Sequence, residues 1–133
     1  MSQENVEVVR RGLDAFNRRD RAAWLAVCDP EVEDVPPREW PESDTTRGSE
    51  AVWDLYVENT AGWRDGDAFE NVELIDAGDK VVAHVLGEMR GKASGASVTW
   101  SYWQAVTFRN GKVLRLEWFA DRNEALEAVG LRE

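Results

Sequence analysis

Apolar and polar residues alternate along residues 97–121, SVTWSYWQAVTFRNGKVLRLEWFAD, and Arg109-Asn110-Gly111-Lys112 separates two apolar runs. Asn-Gly between alternating hydrophobics is the strongest short-range hairpin signal. Side chains alternate across a strand, so Trp100, Tyr102, Gln104, Val106, Phe108, Leu114, Leu116 and Trp118 share one largely apolar face. Thr99, Ser101, Thr107, Arg115 and Glu117 share the other. Gln104 is the polar exception on the apolar face. An amide there finds partners or costs roughly 1–3 kcal/mol, so it is either a core network member or a pocket residue.

Upstream, Val6, Val9, Leu13 and Phe16 recur at helical spacing, with Ser2 and Asn5 as capping candidates and Gly12 weakening the helix by about 1 kcal/mol. Asp20 suits the N-cap of a second, short helix whose buried side is Trp24, Leu25, Val27 and Cys28, stopped by Asp29-Pro30. Residues 31–35 (EVEDV) alternate as a short strand, but Val32 and Val35 cannot share one side of a regular strand. The strand therefore bends or ends there. Residues 36–48 hold two prolines at their start, a third at Pro41, and Trp40; a loop this long suits a lid or rim. Ser49 and Glu50 open a third helix to about Asn59 with Val52, Trp53 and Tyr56 on one stripe, and Gly62 and Gly66 mark its end and the next turn.

Two more strands follow at 69–77 and 80–89, joined by Gly78-Asp79. In the second, Val81, Ala83, Val85, Gly87 and Met89 make one face and His84, Glu88 and Arg90 the other. Residues 91–95 turn into the hairpin, and residues 124–129 form a short helix ending at Gly130. This order predicts an α+β fold. A curved antiparallel sheet forms a cone wrapped around three N-terminal helices, with a short C-terminal helix and a pocket at the open end.

Composition narrows the function. At 133 residues the chain is expected to be a single domain, 1–133. Seven Trp favour a pocket, because aromatic rings wall ligand sites as readily as they fill cores. A net charge of −10 would repel a phosphate backbone and an anionic membrane surface, so neither nucleic acid nor membrane is an expected partner. Cys28 is the only cysteine and His84 the only histidine, so neither a disulfide nor a structural zinc site is expected. No metal or organic cofactor is expected, and the lone thiol and the lack of an export signal or apolar span suit the cytoplasm.

Five segments carry a family resemblance: VVRRGLDAFNRRD, DPEVEDV, RGSEAV, ELIDAGDKVVAHV and FRNGKVLRLEWFADRNEALEAVGL. In this order, over nearly the whole chain, they resemble the SnoaL-like family of the nuclear transport factor 2-like superfamily, the fold of polyketide cyclases and steroid delta-isomerases. The resemblance implies a general-base aspartate on the first strand, at Asp34. It places a tyrosine donor of the isomerases at Gly12, which has no side chain to donate. It places the carboxylic acid of the fourth strand, the cyclase acid-base residue, at Gln104.

The candidate chemistry is therefore acid-base catalysis on a small, largely apolar carbonyl-type substrate. Asp34 would be the base and Gln104 an orienting donor, since an amide does not shuttle protons at neutral pH. Trp24, Trp53, Tyr56, Trp100, Tyr102 and Trp118 are the candidate ligand-binding residues. The alternative is a non-catalytic module that binds a ligand in the same pocket or a protein on the sheet. His84 falls outside the cone by parity. Trp103 also points outward, which suggests a homodimer through the outer sheet face.

Overall fold

The computed structural model describes residues 2–63 and 68–131; Gly66, one of the expected turn glycines, lies outside them. Ten elements follow in order: α1 (Ser2–Asn17), α2 (Arg21–Val27), β1 (Cys28–Val35), β2 (Thr46–Arg47), α3 (Ser49–Thr60), β3 (Phe69–Asp76), β4 (Lys80–Arg90), β5 (Ser97–Arg109), β6 (Lys112–Phe119) and α4 (Arg122–Ala128). The strands form one curved sheet in the order β2-β1-β6-β5-β4-β3. The class is α+β as expected, but the sheet is mixed rather than antiparallel. β1 runs parallel to β6, with Asp34 opposite Leu116 and Val35 opposite Glu117. A parallel pairing joins segments far apart in sequence, where no turn announces it.

The local signals act as physical chemistry requires. Asp20 caps α2, its carboxylate accepting from the Ala23 amide at 3.1 Å. α1 already includes Ser2, and Asn5 does not cap it; the Asn5 amide is buried and donates to the Gly78 carbonyl at 3.5 Å. Cys28 begins β1 instead of ending α2, and Pro30 falls inside the strand. The ladder to β6 shifts register between Cys28 and Glu33, so a proline without an N–H is accommodated where pairing is broken. Asn110 and Gly111 both take positive φ, 53° and 78°, the conformation that a two-residue hairpin needs.

One expectation for this hairpin fails in detail. The β5–β6 register shifts after Thr107, pairing Phe108 with Val113. Val113 thus takes the core position, 5% exposed, and Leu114 loses it. The bulge turns Val113, next to the hairpin turn, inward, while Leu116 and Trp118 beyond it keep their inward parity, a local break that alternation alone does not reveal.

The concave face of the sheet meets α1, α2 and α3 in the main core, where Val8, Phe16, Trp24, Val52, Trp53, Val81 and Val106 pack together. The convex face carries a second, smaller core under α4, formed by Val82, Trp103, Ala125 and Leu126. Trp103 is 9% exposed, stacked on His84 at 4.3 Å. Its own C-terminal helix covers it, so its burial needs no second subunit. Among the described residues no helix is long and apolar enough to cross a membrane.

Candidate active site

Between the helices and the concave face lies a cavity of about 690 Å³. Its depth is set by buried side chains, including Phe16, Trp24, Asp34, Met89 and Gln104; exposed Ser43, Asp44, Asn59 and Val98 lie at its rim. The loop between β1 and β2 closes part of it. Trp40 of this loop packs ring edges against Trp100 and Tyr102, with centroids 5.6 and 5.4 Å apart.

Asp34 reaches the cavity because Val32 and Asp34 lie two residues apart on the buried side of β1, 0% and 4% exposed. Its neighbour Glu33 turns the other way and pairs with Arg47 at 2.9 Å. Two donors converge on one oxygen of Asp34. The Tyr56 hydroxyl from α3 donates to Oδ1, and Trp118 Nε1 from β6 donates to the same oxygen at 2.8 Å. The Trp118 N–H also lies 3.3 Å from the Tyr56 oxygen. Oδ2 receives no hydrogen bond from any described residue and stays open to the cavity.

These contacts set the protonation chemistry. Burial pushes the Asp34 carboxyl above its ordinary value, and the hydrogen bonds from Tyr56 and then Trp118 pull it partly back. Burial, followed by the charge of Asp34, holds the Tyr56 phenol well above 10, so it remains a donor. Cys28 lines the same cavity, 3% exposed, and burial pushes its thiol up to about 12, away from thiolate chemistry.

Gln104 is 9% exposed, lines the cavity, and makes no hydrogen bond to any described residue. Of the two roles open to it, this is the pocket position and not a core network. It pairs with Trp118 in the β5–β6 ladder, while Asp34 lies level with Leu116. Two strand spacings, roughly 10 Å, separate the β1 and β5 backbones, a span that one small molecule bridges. Gly12 lines the wall with no side chain.

The six expected ligand-binding residues divide. Trp24, Tyr56, Trp100 and Trp118 line the cavity. Trp53 does not; it is 6% exposed and wedged between Phe16 and Trp24, with ring centroids 5.7 and 5.6 Å away. Tyr102 does not line it either; its ring packs against Trp100, with centroids 4.6 Å apart. Helix and strand parity told which residues face inward, but not which of those are covered by a neighbour. Sequence reasoning missed Trp40, Trp63 and Phe69 as lining residues. Trp40 had a signal, a lone aromatic in a long loop; Trp63 and Phe69 had none.

The SnoaL-like domain model matches residues 9–116 of this chain. Among solved structures, a protein designated a SnoaL-like polyketide cyclase from Jannaschia sp. CCS1 aligns with a TM-score of 0.77 at 18% identity, covering 98% of this chain and 94% of that one. TerC, co-crystallised with polyporic acid, aligns at 0.75 with 24% identity, covering 95% and 98%. An NTF2-like protein from Burkholderia xenovorans LB400 aligns at 0.72 with 26% identity, covering 97% of each chain. No curated protein matches.

Proposed function

This chain belongs to the SnoaL-like domain family, and we propose that its cavity performs acid-base chemistry on a small, largely apolar carbonyl-type substrate, as an isomerase or cyclase. The observation that carries this reading is Asp34: a buried carboxylate with one oxygen pinned by Tyr56 and Trp118 and the other open to an aromatic cavity. Proton abstraction beside a carbonyl needs a base held in reach of the carbon acid. Oδ2 of Asp34 supplies the lone pair, and the pinned Oδ1 fixes the plane in which it is presented. Desolvation raises its basicity above that of an exposed carboxylate.

The developing enolate oxygen needs a donor, and the unpartnered amide of Gln104 supplies one. Gln104 orients and polarises; the proton itself is carried from one carbon to another by Asp34. The test is exchange: a cyclic enone incubated with the protein in D2O loses its α-proton NMR signal, and Asp34→Asn abolishes the loss while retaining the ligand-induced change in tryptophan fluorescence. Unchanged exchange in that variant sinks the assignment of the base.

A second reading, a non-catalytic ligand-binding module, draws on one observation. Neither Gly12 nor Gln104 presents an acid to the cavity. Saturable binding with no exchange for any carbonyl probe would decide for it.

A further inference from the structure

We infer that the cavity also takes a protonated or quaternary alkylamine, with the Asp34 carboxylate as its counter-ion and aromatic rings as its walls. The inference shares the cavity proposed above but needs no catalysis. Among the described lining residues there is no Lys, Arg or His, while Asp34 lies at depth and Asp44 at the rim. The carboxylate therefore sits in a low-dielectric site with hydrogen-bond donors but no positive partner. Buried charges are normally paired, and the open Oδ2 is where a partner fits.

The walls suit an organic cation rather than a hydrated metal ion. Tyr56 and Trp118 meet at 78° with centroids 6.3 Å apart, and Trp118 meets Trp100 at 86° and 5.9 Å. Trp100 then meets Trp40 at 73°. Successive perpendicular rings offer both faces and edges around one volume, the arrangement by which aromatic cages hold ammonium groups. Gln104, which lines the cavity and has no hydrogen bond to a described residue, adds a carbonyl acceptor for the N–H of a protonated amine. The chain's charge of −10 draws cations toward the site and repels anions.

Three phenyl probes of similar size separate charge from shape: phenyltrimethylammonium, its carbon isostere tert-butylbenzene, and benzoate. Binding is followed by tryptophan fluorescence of the whole protein. The ammonium is expected to bind at least about tenfold more tightly than tert-butylbenzene, and benzoate more weakly than either. Asp34→Asn is expected to erase the ammonium preference while keeping tert-butylbenzene binding, which also reports an intact cavity.

The probe's charge is fixed, so pH acts only through the protein. Tyr56 is the titratable group touching Asp34, and Cys28 and Asp44 line the same cavity. Tyr56 and Cys28 stay protonated at neutrality, and Asp44→Asn serves as the rim control. Ammonium affinity is expected to fall as pH falls through the raised Asp34 titration. Equal binding of ammonium and isostere, no ammonium binding, or a preference that survives Asp34→Asn each overturns the inference. The exchange experiment above is independent, so each reading fails on its own measurement.

Discussion

Trp118 donates its indole N–H to Asp34 across 2.8 Å, although 84 residues separate them in sequence. The parallel pairing of β1 with β6 makes this possible, because it sets Asp34 opposite Leu116 and brings Trp118 two residues further along the neighbouring strand. Position, protonation and orientation of Asp34 thus depend on one strand pairing and on the α3 tyrosine that shares the same oxygen.

Stability should depend on pH through Asp34. Its carboxyl is raised above the ordinary 3.8, chiefly by burial and against the pull of Tyr56 and Trp118. A raised carboxylic acid contributes stability in full below the ordinary value and loses it as pH rises through the native value. Asp34→Asn removes that titration. Melting temperatures of the variant relative to the parent are therefore expected to rise as pH rises from about 4 through the native Asp34 titration. A difference that stays constant from acid to neutral pH would show that the two donors cancel burial.

Trp118→Phe and Tyr56→Phe each keep a ring and delete one donor to Oδ1. Each is expected to move the Asp34 titration further up, read by 13C NMR of its carboxyl carbon, and to cost roughly 1–3 kcal/mol in urea unfolding. Because both donors act on one oxygen, the double variant should cost less or more than the sum. Strict additivity would mean that the two hydrogen bonds are independent.

Gln104 behaves differently because it has nothing to lose in the free protein. Replacing an amide that faces the cavity without a protein partner by an apolar side chain of similar size removes no protein hydrogen bond, so Gln104→Leu should leave the melting temperature unchanged or raise it. Proton exchange on a carbonyl probe should fall about 10²-fold, the usual loss for one oxyanion donor. A large loss of stability would reveal a structural partner for the amide instead.

Local chemistry made much of this fold legible. Asn110-Gly111 announced the hairpin, Asp20 the start of α2, and parity the inward face that carries Trp100, Gln104 and Trp118. Features set by distant pairing were not. Nothing near Asp34 signals β6 beside it or Tyr56 reaching it from 22 residues away. The bulge that exchanged Val113 for Leu114, and the cover that α4 gives Trp103, depend on tertiary packing that overrides alternation. The site was found as a list of inward residues; its geometry came from three non-local contacts.

Gly87 tests whether the cavity wall is as tightly built as these contacts imply. It lies on β4 between Phe69 and Trp100 in the strand pairings, and an added Cβ would meet Phe69 Cδ1 at 2.6 Å and Cε1 at 2.9 Å. The Phe69 backbone cannot easily retreat, because Asn17 donates to its carbonyl at 2.8 Å and accepts from its amide at 3.0 Å. The ring must turn instead, and its neighbours Phe16 and Trp100 stand 6.2 and 6.3 Å away by centroid. Gly87→Ala should therefore cost about 1–3 kcal/mol through overpacking and weaken binding of an apolar probe by narrowing the wall. Phe69→Leu added to the same chain should recover part of the lost stability, since the smaller side chain yields the space that the methyl needs. If Gly87→Ala leaves urea midpoint and probe affinity unchanged, Phe69 is not a fixed part of the wall.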